Sequence, residues 1–508
     1  PEPCLMQPIE FFFRAAARTP DSVAVIAPGQ RLTFAELAAQ TMRVAAYLNA
    51  QDPAPQARVC VGCRNSIEHL IAILAVIAAG KTWVALNPRN GDPELQRIVE
   101  FTKPAALLLD EAMAQRIDGG GAATHMLDGA PADTVFGRAA KADVRFTPTY
   151  VPLDATVAIK FTGGTSGTPK GVMQAYRGWN ACIVSQRHAY GFTPADRYLV
   201  NAPLTHGAST YILPILGAGG AFVFPQDTRP ATLLHTIVEH DVTTFFAPPT
   251  MIQMLVDAAR GVNMPASTLR NVIYGGAPMR PNRIVDAQDA FGPVIHATYG
   301  QTEAPQIITY LSAAELTDPD KLASAGRASL MTEVAIMDAD GRRLPPGELG
   351  EVVVRGDLVM TGYLAMPEKT AETIVDGWLH TGDLGVLDEH GYLFLRDRSR
   401  EVIITGGFNV YPSDVETVLA RHPTVADCVV FGIPDDHWGE AVHAAVEPKP
   451  GATVDVNEII GFLKRELGSV KSPKVMHVYQ SLPKSAVGKV LKTKVRDAAL
   501  TGRAQQPS

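Results

Sequence analysis

The sequence has few cysteines, few charged residues and no long apolar run. Five scattered cysteines among 508 residues are typical of a reducing compartment rather than of a disulfide framework. Cys60 and Cys63 form a CxxC, but without a second pair or a histidine at zinc spacing this pattern does not predict a metal site. A net charge of −7 argues against a partner nucleic acid.

Membrane insertion and secretion are also disfavoured. The longest uncharged run, residues 207–226, contains four glycines and two prolines, and it predicts a helix, a glycine turn and a strand rather than a transmembrane segment. The first twenty residues lack the basic start and apolar core of a secretory signal. We therefore expect a cytoplasmic protein.

Helical and strand-like segments alternate through the first 310 residues or so. Residues 66–79 are apolar on nearly every face, which predicts a buried helix that Gly80 can end, and Thr82–Leu86 predicts the strand after it. Short strands separated by glycine and proline turns follow from about Val334, and a mixed pattern of helices and strands follows Arg398. We predict an α/β protein: a large layered α/β N-terminal domain with a small β subdomain, plus a small mobile α+β C-terminal domain.

The most informative segment is Phe161–Gly171, FTGGTSGTPKG. Its glycines let backbone N–H groups turn towards an anion, its hydroxyls add donors, and Lys170 adds a mobile positive charge. The order Thr168-Pro169-Lys170-Gly171 is not that of a Walker A loop. The composition nevertheless suits a polyphosphate.

A second cluster, Tyr299–Glu303 (YGQTE), follows the strand-like stretch VIHATYG. Loops at the carboxyl ends of parallel strands are where α/β proteins bind ligands. Glu303 can hold Mg²⁺, Thr302 can donate a hydrogen bond to a phosphate, and Tyr299 can stack on a base.

Three further clusters lie downstream. Residues 378–383 (WLHTGD) place Asp383 in what the sequence predicts to be a tight turn, where a carboxylate can accept both hydroxyls of a ribose. Asp397–Glu401 lies where the pattern of short strands gives way to a mixed pattern of helices and strands, which is where a hinge between domains is expected. Residues 482–489 (LPKSAVGK) predict an exposed loop with a lysine just beyond a glycine.

In this order and spacing, and with Pro203–His206 and Tyr274–Pro278 between them, the five clusters resemble the adenylate-forming (AMP-binding) superfamily, in particular its acyl- and aryl-CoA ligases. The resemblance covers about Ile9 to Ala498. It implies a ligase that uses ATP and Mg²⁺ to activate a carboxylic acid as an acyl-AMP and passes the acyl group to coenzyme A.

The resemblance also implies roles for individual residues. Lys489 would bridge the carboxylate and the α-phosphate, Thr302 would contact that phosphate, Glu303 would bind Mg²⁺, and His206 would gate the acid pocket. The phosphate-binding residues would be Thr162, Gly163, Gly164, Thr165, Ser166, Gly167 and Lys170. Adenosine would contact Gly275, Gly276, Ala277, Pro278, Tyr299, Asp383 and Arg398.

Coenzyme A would use the C-terminal domain. The resemblance implies an N-terminal domain 1–397, a hinge 398–400 with Arg400 as its charged position, and a C-terminal domain 401–508. The matching CoA residues are Gly406, Gly407, Trp438, Lys471 and Lys474. Asp397, Arg400 and Gly164 depart from the residues most common in the family, and the glycine removes one hydroxyl from the phosphate loop.

The identity of the acid depends on a set of small or neutral positions: Ser185, His206, Gly207, Ala208, Pro248, Gly275, Gly300, Pro305 and Gln306. Gly300 stands where the acetate-activating branch has a tryptophan, so we expect open space there and an acid larger than propionate. No acidic residue near His206 is placed to hold an α-ammonium group. The expected substrate is an apolar aryl or medium-chain acid.

Other functions stay open. A stand-alone adenylating enzyme could load the acyl group onto a carrier protein instead of CoA. A non-catalytic nucleotide- or acyl-binding relative is a third possibility, but the retained Glu303, Asp383, Arg398 and Lys489 argue against it. The sequence is compatible with a monomer or a homodimer.

Overall fold

The computed structural model describes residues 6–142, 146–162, 170–260, 268–398, 401–405, 408–435, 438–485 and 490–501. The chain forms two compact units, which are Pro1–Val334 with Val354–Leu379 (unit 1), and Ala335–Val353 with His380–Ser508 (unit 2). Within the described ranges, we find no helix with the length and apolar character needed to cross a membrane.

The secondary structure alternates as expected. The α-helices are α1 Pro8–Arg18, α2 Phe34–Gln51, α3 Ile67–Ala78, α4 Asp92–Thr102, α5 Glu111–Ala114, α6 Val135–Ala139, α7 Tyr176–Tyr190, α8 Ile212–Ala218, α9 Pro230–Glu239, α10 Pro249–Ala259, α11 Pro281–Phe291, α12 Pro367–Thr373, α13 Pro412–Leu419, α14 Val456–Lys471 and α15 Lys492–Leu500. Short 3₁₀ helices lie at Gly207–Tyr211, Glu315–Thr317 and Pro319–Lys321.

The strands are β1 Val23–Ala27, β2 Gln30–Thr33, β3 Arg58–Gly62, β4 Thr82–Leu86, β5 Ala106–Leu109, β6 Ala123–Met126, β7 Thr156–Thr162, β8 Lys170–Ala175, β9 Arg197–Leu199, β10 Ala221–Val223, β11 Thr244–Ala247, β12 Asn271–Tyr274, β13 Ile295–Tyr299, β14 Thr309–Leu311, β15 Arg327–Ala328, β16 Glu333–Met337, β17 Gly350–Arg355, β18 Gly362–Tyr363, β19 Ile374–Val375, β20 Trp378–Leu387, β21 Leu393–Arg398, β22 Ile403–Thr405, β23 Phe408–Val410, β24 Val425–Asp435, β25 Gly439–Pro448 and β26 Val475–Val478.

Unit 1 contains two sheets. The nine-stranded sheet has the order β15-β14-β13-β12-β11-β9-β10-β1-β2, and the seven-stranded sheet has the order β18-β8-β7-β4-β3-β5-β6. Neighbouring strands from β1 to β13 of the first sheet and from β7 to β6 of the second are parallel, whereas the terminal strands are antiparallel. The predicted α/β architecture is confirmed.

The predicted buried helix shows why the local sequence pattern was sufficient to predict the secondary structure here. In α3 every residue except Glu68 is buried, and the Ser66 side chain accepts a hydrogen bond from the His69 N–H at the helix start. Gly80 follows the helix with φ +67°, a conformation that glycine adopts at little cost. Strand β4 then has the bounds that the sequence predicts.

Unit 2 is a smaller mixed assembly. Its five-stranded sheet has the order β23-β22-β25-β24, with β26 paired parallel to β25. One core cluster includes Val430, Val442 and Leu463, and a second includes Phe431 and Val495. In α14 Gly468 has φ +78°, a conformation outside the helical range, so the first helical segment ends there.

Gly326 provides a test of the packing at the end of the nine-stranded sheet. It has φ +90°, and a Cβ there would overlap the Tyr310 carbonyl and approach the Leu311 nitrogen to 2.6 Å. Gly326→Ala should therefore lower the free energy of unfolding by about 3 kcal/mol or more, since strain and overlap add. Chemical denaturation measures this change.

Gly341→Ala is the matched control. Gly341 has φ +78°, but its Cβ direction has no atom within 4 Å. Gly341→Ala should therefore lower the free energy of unfolding only by the cost of the left-handed backbone conformation, about 1 kcal/mol. Equal losses in the two variants would contradict the proposed overlap at Gly326.

Candidate active site

Most of the expected adenine and acid residues of unit 1 follow four parallel strands of one sheet. Strands β9, β11, β12 and β13 are neighbours, and Ala247, Tyr274 and Ala297 lie opposite one another in register. Pro248, Gly275 and the turn after β13 therefore begin at the same sheet edge. Segments that are far apart in sequence meet there because parallel strands end on the same side.

The turn after β13 carries the predicted metal ligand, Glu303. Its carboxylate accepts a hydrogen bond from the Tyr363 hydroxyl at 2.8 Å, and its backbone carbonyl accepts one from the Met360 N–H at 2.8 Å. Burial, followed by the neighbouring Glu303 charge, raises the pKa of Tyr363, so this hydroxyl is a donor. Glu303 is thus held in place by the segment around β18.

Lys170 lies at the same corner of unit 1. Its Nζ is 5.9 Å from the centre of the Tyr363 ring. Backbone pairing places Lys170 opposite Thr162, at the end of the β7–β8 hairpin where the segment that connects the two strands begins. A lysine, a tyrosine and a carboxylate are therefore neighbours, which suits the binding of a phosphate together with its cation.

The residues at this corner fit Mg²⁺. One oxygen of the Glu303 carboxylate bonds Tyr363, and within the described chain no hydrogen bond involves the other oxygen. Among the described residues there is no cluster of three His, Cys, Asp or Glu side chains that could hold a metal. A single carboxylate with a nearby hydroxyl is what Mg²⁺ uses when phosphates complete its coordination.

Thr302 is held from the seven-stranded sheet. Gln174, buried on β8, donates through Nε2 to the Thr302 carbonyl at 2.9 Å, and its other amide atom, Oε1, accepts from the Trp179 indole at 3.1 Å. Because both groups of this amide are occupied, its orientation is defined. Gln174 therefore fixes the turn that carries Thr302 and Glu303.

The opposite wall of the candidate site is the turn at His206. Its ring Nδ1 lies 3.0 Å from the Thr205 hydroxyl. Burial, with smaller contributions from the charges of Lys160 and Arg89, lowers the pKa of His206 to about 4. His206 is consequently neutral at physiological pH, so it does not attract a second carboxylate by charge.

Gln306 crosses from the Glu303 turn towards this wall. Its Nε2 donates to the Tyr211 hydroxyl at 2.8 Å, while its Oε1 lies 2.8 Å from the position that a Cβ on Gly207 would take. Its backbone has φ +69°, and its carbonyl accepts from the Thr298 hydroxyl at 2.6 Å. Gly207 therefore permits the close approach of Gln306.

The expectation that Gly300 opens space for the acid is wrong in its physical reason. A Cβ on Gly300 would meet backbone atoms of Gln306 at 2.5 to 2.8 Å. The glycine permits two backbone segments to touch, and no vacant volume lies in that direction. The size of the acid therefore depends on other residues of the wall.

The other predicted pocket and adenine residues differ in exposure. Pro248 and Ala277 are partly exposed, and Gly276 and Pro278 are exposed beside buried Gly275. Three predicted positions are buried, namely Ser185, Ala208 and Pro305. The buried Ser185 hydroxyl accepts a hydrogen bond from the Ser329 hydroxyl at 3.4 Å, so it supports the site from within the core.

In unit 2, Asp383 lies inside strand β20 and not in the tight turn that the sequence predicts. It pairs across the sheet with Arg398, next to a register shift between Asp383 and Gly385. The preceding Gly382 has φ +72°, and its N–H donates to Glu351 at 2.9 Å. Glycine gave the segment a turn-like sequence, but strand pairing decided its conformation.

Three of the predicted CoA residues of unit 2 have described side-chain contacts. Lys474 and Trp438 are both exposed, and Lys474 Nζ donates to the Ser469 carbonyl at 2.8 Å and lies 5.2 Å from the centre of the Trp438 ring. Lys471 lies 3.6 Å from the Asp414 carboxylate. An aromatic face beside a lysine can bind a base and a phosphate.

Several predicted residues lie outside the described residues or, for Thr162 and Arg398, have no described side chain. Those outside are Gly163, Gly164, Thr165, Ser166, Gly167, Arg400, Gly406, Gly407 and Lys489. Their roles stay predictions.

The AMP-binding enzyme family matches residues 12–364, and the AMP-binding enzyme C-terminal domain matches residues 414–489. The chain belongs to the AMP-binding enzymes.

Relatives of this AMP-binding enzyme include three ligases. Feruloyl-CoA synthase of Amycolatopsis sp is 34% identical, over 95% of this chain and 97% of its own. The fatty acid–[acyl-carrier-protein] ligase ScoC of Streptomyces coeruleorubidus is 31% identical, over 95% and 94%. The medium/long-chain-fatty-acid–CoA ligase FadD8 of Mycobacterium tuberculosis is 37% identical over 68% of this chain, and the match spans only 62% of that relative.

Solved structures agree with this AMP-binding fold. The amide bond synthetase McbA from Marinactinospora thermotolerans superimposes with a TM-score of 0.88 at 30% identity, covering 97% of this chain and 99% of its own. The predicted fold class and family are confirmed.

Sequence reasoning missed the residues that hold the site of this AMP-binding enzyme in place. They are Lys160 and Gln174, two buried polar side chains on β7 and β8, and Tyr363. The only signal for the first two is a polar residue inside an otherwise apolar strand, next to the phosphate loop.

The pKa of His206 can be measured directly. We expect the ¹³C-labelled imidazole of His206 to titrate with a midpoint of about 4, because burial disfavours the charged ring. NMR of the ring signals between pH 3 and 8 brackets the midpoint, and His206→Gln identifies the resonance. A midpoint near the ordinary value of about 6.5 would contradict this effect of partial burial on the ring.

Proposed function

We propose that this AMP-binding enzyme is an AMP-forming acid–thiol ligase, which activates a carboxylic acid with ATP and transfers the acyl group to coenzyme A. One observation carries the proposal. The Thr302–Glu303 turn and the His206 turn lie at the carboxyl ends of strands of one sheet, and Lys170 lies near the ring of Tyr363, whose hydroxyl donates to Glu303. Groups suited to phosphate and groups suited to the apolar part of a carboxylic acid thus belong to one site.

In the first half-reaction, an oxygen of the carboxylate attacks the α-phosphorus of ATP. The bond to the bridging oxygen breaks, acyl-AMP forms and pyrophosphate leaves. Two anions must approach each other, so positive charge and fixed donors lower the barrier. Lys170 and the phosphate loop would hold the leaving pyrophosphate, Thr302 the α-phosphate, and Lys489 the reacting oxygens.

Mg²⁺, when bound, would offset negative charge on the phosphates. Glu303 would hold it, and the Tyr363 hydroxyl would keep that carboxylate oriented from behind. Adenine would lie along Gly275–Pro278 and Tyr299, and Asp383 with Arg398 would bind the ribose. This part of the proposal rests on the resemblance together with the positions of Glu303 and Thr302.

The acid is an apolar aryl or medium-chain acid. The neutral His206 and the amide of Gln306 line the wall without a charge that would select a second carboxylate. The relatives named for feruloyl-CoA and for medium- or long-chain fatty acids agree with this class.

In the second half-reaction, the sulfur of CoA attacks the acyl carbonyl carbon, a thioester forms and AMP leaves. Trp438 and Lys474 would bind the nucleotide end of CoA, and Gly406 and Gly407 would line the path of its thiol arm. Arg400 would be the hinge between a domain 1–397 and a domain 401–508. The described cysteines are buried free thiols, which suits the reducing cytoplasm.

Transfer to a carrier protein is the second candidate. The similarity to ScoC, named as an acyl-carrier-protein ligase, favours it. Both candidates share the first half-reaction and differ only in the thiol that accepts the acyl group.

AMP release tests the function. Purified protein with ATP and Mg²⁺ should release AMP with one class of aryl or C4–C12 acids, and only when CoA is present. Matched reactions without acid and without CoA are the controls. AMP release or pyrophosphate exchange indifferent to CoA would support the carrier candidate, and no acid-dependent turnover would contradict both.

Lys474→Ala should separate the two half-reactions. We expect the KM for CoA to rise about tenfold, because a charged contact to a phosphate is lost, while ATP–pyrophosphate exchange stays unchanged. Lys464→Ala, which removes an exposed lysine of α14, is the control. An unaltered KM for CoA would remove Lys474 from the CoA site.

A further inference from the structure

We propose that Lys160 is a positioning residue for the acid: its buried ammonium group holds the His206–Ser209 turn in place and thereby sets the affinity for the acid, while the affinity for ATP does not depend on it. The inference rests on the proposed function, since it assumes that this turn is a wall of the acid pocket. It goes further because neither the phosphate loop nor the acid-pocket residues expected from the sequence include Lys160.

The contacts of Lys160 converge on one turn. Its Nζ donates to the His206 carbonyl at 3.0 Å and to the Ser209 hydroxyl at 2.7 Å. That hydroxyl in turn donates to the same His206 carbonyl at 2.7 Å. Three groups thus form a closed set of hydrogen bonds, so the position of the His206 backbone depends directly on the lysine.

The surroundings of Lys160 explain why a charge is tolerated there. The residue is 6% exposed, and Nζ lies 5.2 Å from the centre of the Trp83 ring and 5.7 Å from that of Trp179. Aromatic faces stabilise a cation, but burial of an ammonium group without a carboxylate is costly. Among the described residues Lys160 forms no ion pair, so the cost is offset mainly by the turn and the two rings.

The charge of this lysine is sensitive to pH. Burial lowers the pKa of Lys160 to about 7. The ionisable groups that face it are the Cys182 thiol of α7 and the His206 ring, which is neutral at this pH. Raising the pH through 7 therefore removes the positive charge and weakens the bonds to the turn.

Loss of these bonds acts on the acid site because the turn is continuous with the predicted wall. The Gly207 carbonyl accepts from the Thr210 hydroxyl at 2.6 Å, and Gln306 Oε1 lies 2.8 Å from the position that a Cβ on Gly207 would take. A looser turn must be ordered again whenever the acid binds, which lowers its affinity. The Thr302 turn has its own anchor, Gln174, so ATP binding should not change.

Lys81 offers a matched control. It is also buried, at 1% exposed, and its Nζ donates to the carbonyls of Asp52 and Ala54 at 2.6 and 2.9 Å. Lys81 holds the chain after α2 and not the His206 turn. Lys81→Met and Lys160→Met therefore remove the same kind of interaction from two different places.

The first experiment measures hydrogen exchange of the amides of residues 206–211 without any substrate. Lys160→Met should accelerate exchange at least tenfold, since a hydrogen bond to a charged group is lost, whereas Lys81→Met should not. Wild-type protein at pH 6 and 8.5, corrected for intrinsic rates, provides a second comparison if the variant does not fold. Protection that is equal at both pH values and in both variants would overturn the anchoring role.

The second experiment is kinetic. With an acid that the wild-type protein uses, Lys160→Met should raise the KM for the acid about tenfold, with the KM for ATP within about twofold of wild type. The inference would be overturned by an equal rise in the KM for ATP or by an unchanged KM for the acid. An equal rise in the KM for the acid in Lys81→Met would also overturn it. Wild-type protein without acid-dependent AMP release would instead contradict the proposed function.

Discussion

The parallel register of β9, β11, β12 and β13 is the constraint on which the candidate site depends. Because Ala247, Tyr274 and Ala297 lie opposite one another, the segments that follow these strands begin at the same height on one sheet edge. Residues separated by almost a hundred positions in the sequence, such as Tyr211 and Gln306, therefore meet. Close approach at this edge needs glycine, which explains Gly207, Gly275 and Gly300 better than an open pocket does.

A second sheet supports the first. Strands β7 and β8 form the hairpin whose connection is the predicted phosphate loop, and the same two strands send buried polar side chains to the two walls of the site. Lys160 reaches the His206 turn, and Gln174 reaches the Thr302 turn. The Trp179 ring borders both side chains, at 5.7 Å from the ammonium group and hydrogen-bonded to the amide. The two walls are therefore anchored to the same hairpin through two separate side chains.

Local patterns predicted the elements well and long-range contacts poorly. Helix α3 and strand β4 follow from continuous apolar runs and from Gly80, all of which act within a few residues. Asp383 was expected in a turn, yet it lies in β20 because pairing with β21 outweighs the local effect of Gly382. Tyr363 was not predicted at all, since nothing near it in the sequence indicates that its hydroxyl bonds Glu303.

The sequence by itself determined the family, the fold class and the residue types available for phosphate, metal and acid, because motif order and hydrophobic period are properties of the linear chain. Only the tertiary structure decided which side chains hold those motifs in place. Whether Gly300 borders space or backbone, and whether a buried lysine meets a carboxylate or a carbonyl, depends on distances between segments far apart in the chain. Those distances follow from strand register and core packing, which no local pattern specifies.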